Sequence, residues 1–587
     1  MTQRRWSGVL LALAVIQAAQ LVPTRTLAQA PLPPSFRQPE PLGSPIPRML
    51  PPSPPPVSPV PPQPGPPPTA VTPDRTVPVT GVAIEGVTAF PPNAFQADLQ
   101  GLTGPHVPLQ RIEAARLAIL QQYRADGYIL VTVSADVDAA GRLRFRVTEG
   151  RIAAVKLDGD IGPAATQVLR FLNRLTAEQP VRSATLERFL LLAQDVPGVS
   201  LRTVLEPSTD EPGALNLVAQ VSRKPVSGLV TFDNRAFEQT GPIEGLGVLD
   251  LNSFTEFGEK TELSYYHAFP NTDNFGEVST EAFIGGSGLK LRLYAGRGLA
   301  VPSGNGTSGL QLIDYHDTTT VLGGSLAYPV IRSRQRTLNA LVALDLLESQ
   351  VDINAAGIPA HASDSLRVLR IGADYAASDL WLGAPRPAVD AVTLRLSRGL
   401  HALGASPSGD PGGLRANERT DFTRLSGELS RTQTLFSPWN GASLALMALL
   451  AGQWSDDVLP PAEQFYLGGP RFTRGYYAGQ VLGDKALAAT AELQLNTRTD
   501  LSALRLSAET ASQFYLFYDW GETWRNQPVD TAARIASAGG GARLQATAYS
   551  EFDVEAVGRF NRYPNGGQGS VGALNGIGLY WRILFHY

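Results

Sequence analysis

The sequence predicts a membrane all-β protein: a C-terminal transmembrane β-barrel of about 16 antiparallel strands, preceded by two small α+β modules. Three observations carry this prediction. The N-terminus has the pattern of an export signal, residues 80–224 hold a doubled β-α-α-β-β pattern, and two-residue alternation runs from residue 225 to the last residue, 587. Composition agrees, with 17% charged residues and 57 glycines, which suit strands and turns more than a helical enzyme. A net charge of -4 gives no sign of nucleic-acid binding, and zero cysteines exclude disulfides and thiolate metal sites.

Residues 1–30 predict a signal peptide. "MTQRRW" supplies a basic start, and "SGVLLALAVIQAAQLV" an apolar stretch too short for a convincing spanning helix. Ala28 and Ala30 take the small positions of a cleavage site. The alternative is an uncleaved anchor. Residues 31–79 predict a disordered linker, because 20 of the 43 residues from Pro31 to Pro73 are proline. Proline lacks an N–H and fixes φ, so an extended polyproline-like spacer is expected.

Residues 80–150 and 151–224 predict two modules of one plan. In the first, "GVAIEGVTAF" reads as a strand and turn. The next stretch, residues 108–128, reads as a helix with Ile112, Ala115, Ile119 and Tyr123 on one face. "ILVTVSADV" and "GRLRFRVTEG" read as strands around the turn "DAAG". The second module repeats this with "RIAAVKLDG", two helical stretches, "LRTVLEP" and "ALNLVAQVSRK".

Residues 225–587 predict the barrel. In "LKLRLYAG", Leu289, Leu291 and Leu293 alternate with Lys290, Arg292 and Tyr294, and "AVTLRLSRG" and the terminal "GIGLYWRILFHY" alternate likewise. A soluble sandwich would put the polar face outside; a membrane barrel puts the apolar face outside and the polar face in its lumen. Export, the long polar loop 404–421 and the final aromatic Tyr587 favour the membrane. About 10 residues per strand and about 12 per connection give the strand number stated above.

Enzyme motifs are missing from the sequence. "GQGSVG" (567–572) has a dinucleotide-type spacing, but a strand follows it where a helix is needed, so a hairpin loop is expected. The six histidines show no metal-ligand spacing. No catalytic residue, cofactor or metal is predicted.

Four stretches carry a family resemblance. They are residues 127–159 with "EGRI" inside, "GLVTFDNRAFEQTG" (228–241), "LGGPRFTRGYYAGQVLGDKAL" (467–487) and "FYDWGETW" (517–524). In this order, behind two small modules, they resemble the outer-membrane transporters of two-partner secretion, the haemolysin secretion/activation (TpsB) family. The modules look like its polypeptide-transport-associated (POTRA) domains. The resemblance implies a protein-translocation pore in the bacterial outer membrane, with the POTRA domains and the linker in the periplasm. It implies a large secreted TpsA-type partner, β-helical in form, contact with outer-membrane lipid, and a monomeric pore. A barrel-assembly insertase of the same superfamily and a passive porin are the alternatives; two modules with this junction favour secretion over the first, and porins need no such modules. Some family members plug the barrel with an N-terminal helix, which the prolines of residues 31–52 do not permit.

The resemblance also implies that the sixth extracellular loop folds into the lumen, with Arg474 meeting Asp519 on the inner wall. Alternation in "QFYLFYDWG" independently puts Gln513, Tyr515, Phe517 and Asp519 on the lumen face. A guanidinium can grip a carboxylate through two parallel bonds. Gly475 is expected to allow backbone angles closed to other residues, and Tyr476 and Tyr477 to pack on the wall or stack on the charge. A water-filled lumen would hold such a pair to about 1 kcal/mol.

Overall fold

In the computed structural model of the chain, the described residues are 75–587, apart from 92, 209–210, 237–242, 270–272, 302–312, 356–357, 501, 503–509, 528–531 and 565–572. The expected signal peptide with Ala28 and Ala30, the linker as far as residue 74, and the "GQGSVG" loop lie outside them.

The linker expectation needs correction at its end. Strand Thr76–Val79 pairs antiparallel with Gly104–Pro108, so ordered chain begins before residue 80. Val79 is buried, and Pro78 falls where the register breaks between Val77 and Val79. A proline is tolerated there because it has no N–H to give to a ladder.

The first module has a three-stranded sheet. Gly81–Glu85 runs parallel to the central strand Arg142–Thr148, which is antiparallel to Thr132–Val137. The helix Leu109–Ala125 buries Ile112, Ala115, Ile119 and Tyr123 on this sheet, as the 3.6-residue spacing predicts. Glu149 of the "EGRI" stretch ties the module together. Its carboxylate accepts bonds from the backbone N–H groups of Thr88 (2.9 Å) and Ala89 (3.0 Å) and from the Tyr123 hydroxyl (2.6 Å). Burial pushes the Glu149 carboxyl up, but bonds from Thr88, Tyr123 and Ala89 outweigh it and hold its pKa below the usual value.

The second module repeats the topology. Arg151–Asp158 is parallel to the central strand Ala214–Arg223, and Val199–Pro207 is antiparallel to it. Helices Ala164–Leu172 and Ser183–Gln194 cover this sheet and reach the barrel turns. Phe171 packs edge-on against Phe283, with ring centroids 5.1 Å apart. Asp195 takes both arms of Arg332 at 2.8 and 2.7 Å, and Gln167 donates to the Gly285 carbonyl at 2.9 Å.

Sixteen antiparallel strands then close into one barrel, from Val226–Asp233 to Ile577–His586, and these two pair with each other. Closure satisfies every strand's backbone groups, which an open edge in lipid could not. Leu293, Leu394 and Leu516 point outward, while Tyr294, Arg395, Tyr515 and Asp519 are buried inside. The strands are less uniform than the sequence estimate assumed. Ile313–Arg332 and Arg336–Ala355 have 20 residues and Ile358–Asp379 has 22, well beyond a membrane crossing of about 10.

Candidate functional site

The candidate site is the sixth extracellular loop, residues 455–484, with the wall that receives it. The loop joins strands Ser443–Trp454 and Lys485–Thr499. It makes a 3-10 turn at Pro461–Glu463, then a hairpin of Phe465–Leu467 with Val481–Gly483, and its tip is residues 468–480. The tip does not face water: Phe472, Arg474 and Tyr476 are all buried, and Arg474 is 4% exposed.

Arg474 and Asp519 meet as the resemblance implied. The Arg474 Nε and Nη2 donate to the two oxygens of Asp519 at 2.9 and 3.0 Å. The Arg474 backbone N–H donates to the same carboxylate at 2.9 Å. Two features of this pair went unread in the sequence. Its wall holds further acids, since Glu492 bonds Arg474 Nη1 and Glu555 lies 3.7 Å from it. These acids have their own cations: Arg543 bonds Glu492 at 2.9 Å and Arg235 bonds Glu555 at 2.6 Å. Neither Glu492 nor Glu555 carries a motif, and nothing local in the sequence joins their strands to Asp519.

Two local expectations are corrected, and a third, for Tyr476, is narrowed to packing on the wall. The ring over the guanidinium is Phe517, with Arg474 Cζ 3.5 Å from its centroid, and not Tyr476. The Tyr476 hydroxyl instead donates to the Ala536 carbonyl at 2.9 Å and accepts from the Asn561 N–H at 3.0 Å. Gly475 does not occupy the left-handed region; Thr473, at φ 54, does. Gly475 is needed for close approach, because a Cβ there would meet Ser537 Cβ at 2.9 Å and Val557 Cγ1 at 3.0 Å. Finally, Asp519 is 0% exposed, so the pair is a buried one and not a water-screened one.

Other residues fix the loop's path. Gly521 follows Asp519 on the same face of its strand, and a side chain there would meet Leu467 at 2.7 Å, so the wall is hollowed for the hairpin. At the rim, Asp484 accepts from Arg415 (2.6 Å), the Asn526 N–H (2.8 Å) and the Leu459 N–H (3.0 Å), joining three loops. Burial pushes the Asp484 carboxyl up, but those bonds outweigh it and keep its pKa below the ordinary value.

Gly468, at φ 101, starts the tip, and a Cβ there would sit 1.8 Å from the Tyr477 carbonyl oxygen. Gly468→Ala is therefore expected to unseat the tip without removing a charge. The tip should then become open to added protease in the inserted barrel, where Arg474 is otherwise 4% exposed; a tip as resistant as the parent's would show that its shape is not what seats it.

Comparison with known proteins agrees with this architecture. Residues 301–544 match the haemolysin secretion/activation protein family ShlB/FhaC/HecB, and residues 77–150 match the ShlB-type POTRA domain. The chain is 20% identical over 453 residues to the heme/hemopexin transporter protein HuxB of Haemophilus influenzae, covering 76% of each. CdiB from Escherichia coli has a similar fold, with a TM-score of 0.68 at 15% identity over 88% of this chain and 92% of that one. CdiB from Acinetobacter baumannii gives 0.60 at 16% identity, over 88% and 91%. The two family matches together take in more than half of the sequence and cover most of the barrel, its inward loop and the first periplasmic module. The chain thus belongs to the haemolysin secretion/activation family, the outer-membrane translocation pores of two-partner secretion.

Proposed function

We propose that this pore exports one large, β-helical TpsA-type partner as a monomeric transporter, and that Arg474 on Asp519 is the latch of its lumen loop. The division of labour follows the chain: residues 80–150 and 151–224 receive the unfolded partner in the periplasm, and residues 225–587 conduct it. Each module sheet has two outer strands, Gly81–Glu85 and Thr132–Val137 in the first. An outer strand can accept an extended segment by main-chain hydrogen bonds. Folding of the partner outside the cell supplies the direction of movement.

The observation that carries this reading is a charged loop tip buried against the inner wall of a closed barrel. Such a tip lies on the only route a client inside the barrel has to take. The test is to express the chain with the secreted protein encoded beside it, in a host lacking both. The partner should reach the medium only when the chain is present. Retention of the partner in the periplasm beside a correctly inserted barrel would overturn the proposal.

A further inference from the structure

The loop has a second buried attachment, on a different arc of the wall. Glu463 is 0% exposed and lies in the 3-10 turn at the loop's descending limb. Its Oε1 accepts from Arg370 Nη2 at 2.7 Å, and its Oε2 forms an ion pair with Arg424 Nη1 at 2.7 Å. Its backbone carbonyl accepts from Arg424 at 2.9 Å and from Gln453 at 3.0 Å. Arg370 is itself fixed by Asp345 and the Ser397 hydroxyl, both at 2.6 Å. These wall residues sit on the consecutive strands Arg336–Ala355, Ile358–Asp379, Ala388–Gly399, Thr423–Phe436 and Ser443–Trp454. Arg474 binds a separate set, from Lys485–Thr499 to Ser550–Arg559.

The two attachments have opposite polarity. At one the loop supplies a carboxylate to wall guanidiniums, and at the other a guanidinium to wall carboxylates. A loop that slid along the wall would bring like charges together, so the pairing specifies one seat. Arg471 adds a contact with Glu428, but its side chain is 34% exposed, and such pairs contribute little. Removing either buried partner strands a buried charge, so each attachment resists release separately.

We propose that Glu463, held by Arg370 and Arg424, is a second anchor of the sixth loop that works independently of Arg474. It acts as a positioning residue for translocation. Release of Arg474 alone leaves the loop tethered at Glu463, so the tip swings within the lumen and does not leave it. This rests on the latch reading for its role in secretion, but not for its geometry, which is read directly below.

The chain has no cysteine, so single reporters can be placed without background. Ser397 and Ser537 are both 0% exposed and lie beneath the two anchors: Ser397 bonds Arg370, and the Ser537 hydroxyl accepts the Gly475 N–H at 3.3 Å. Ser397→Cys and Ser537→Cys are labelled with a membrane-impermeant maleimide in the inserted protein. Glu463→Gln is expected to raise labelling at position 397 by roughly tenfold and leave position 537 protected. Asp519→Asn should do the reverse. If Glu463→Gln fails to insert, Arg424→Gln keeps the Arg370 arm and should still raise labelling at 397 about threefold. Continued protection at 397, or equal exposure of both reporters, would overturn the second anchor. Because labelling is read without a client, that outcome is distinct from a failure of the latch to affect secretion.

Discussion

Arg474→Ala is expected to reduce partner secretion by at least roughly tenfold while the barrel still inserts and keeps its heat-modifiable mobility. The substitution removes the fork on Asp519, the contact with Glu492 and the face over Phe517 together. Breaking a buried pair costs about 3–5 kcal/mol. At 1.4 kcal/mol per factor of ten, that shifts the seated loop by roughly a hundred- to a few-thousandfold. Barrel closure does not depend on this contact, because it rests on sixteen hydrogen-bonded strands. Asp519→Ala should be the milder change, since Glu492 and Glu555 still face the guanidinium. Added to Arg474→Ala, it should cost little more, because its main partner is already gone. Secretion is measured as partner in the medium per folded barrel. Defects of the two single variants that add in the double variant would mean the residues act separately, and the latch would fall.

Deletion of residues 76–150 is expected to abolish secretion and leave insertion intact. The first module closes its own core, with Phe95, Ile119, Tyr123, Leu143 and Phe145 buried among themselves. Its ties to the second module include the Ser183 N–H to the Gly127 carbonyl at 2.8 Å, the Val181 N–H to the Gly150 carbonyl at 3.2 Å, Arg182 to the Tyr128 hydroxyl at 3.1 Å, and Leu130 packed on the second core. Removal therefore takes away two outer strands where an unfolded client would arrive, and it uncovers the second core at Leu130 while leaving that core's own buried residues in place. Deleting residues 151–224 would be a poorer test. It would strip Phe171 from Phe283 and Asp195 from Arg332, and so disturb the barrel turns as well as client capture. Heat-modifiability reports insertion and the partner's location reports secretion. Undiminished export by the 76–150 deletion would show that the first module does not receive the client.

Periodicity made much of the barrel legible. Alternation such as that of Leu394, Arg395, Leu396 and Ser397 states which face meets lipid, because a side chain in a strand has only two directions. The helix face Ile112, Ala115, Ile119 and Tyr123 was legible for the same kind of reason, with a period of 3.6. The end of the proline-rich segment was not legible. Proline density argued against any strand there, while the pairing that orders Thr76–Val79 comes from residues some thirty positions later.

The site divides in the same way. Its hook and receptor, Arg474 and Asp519, were named from the family resemblance of two short motifs, and alternation added only that Asp519 faces the lumen. By itself the sequence determined the order of modules, the strand faces and the approximate strand number, while the pair came from the family resemblance. Only the tertiary structure decided what surrounds the pair. Glu492, Glu555, Arg543 and Arg235 reach it from four separate segments, and Glu463 meets Arg370 and Arg424 across the lumen. It also decided the role of Gly475, which is governed by the nearness of Ser537 and Val557 and not by its own backbone angle. The physical reason is that local patterns fix which way a side chain points, whereas charge networks and close approach depend on which distant strands the barrel's register sets side by side.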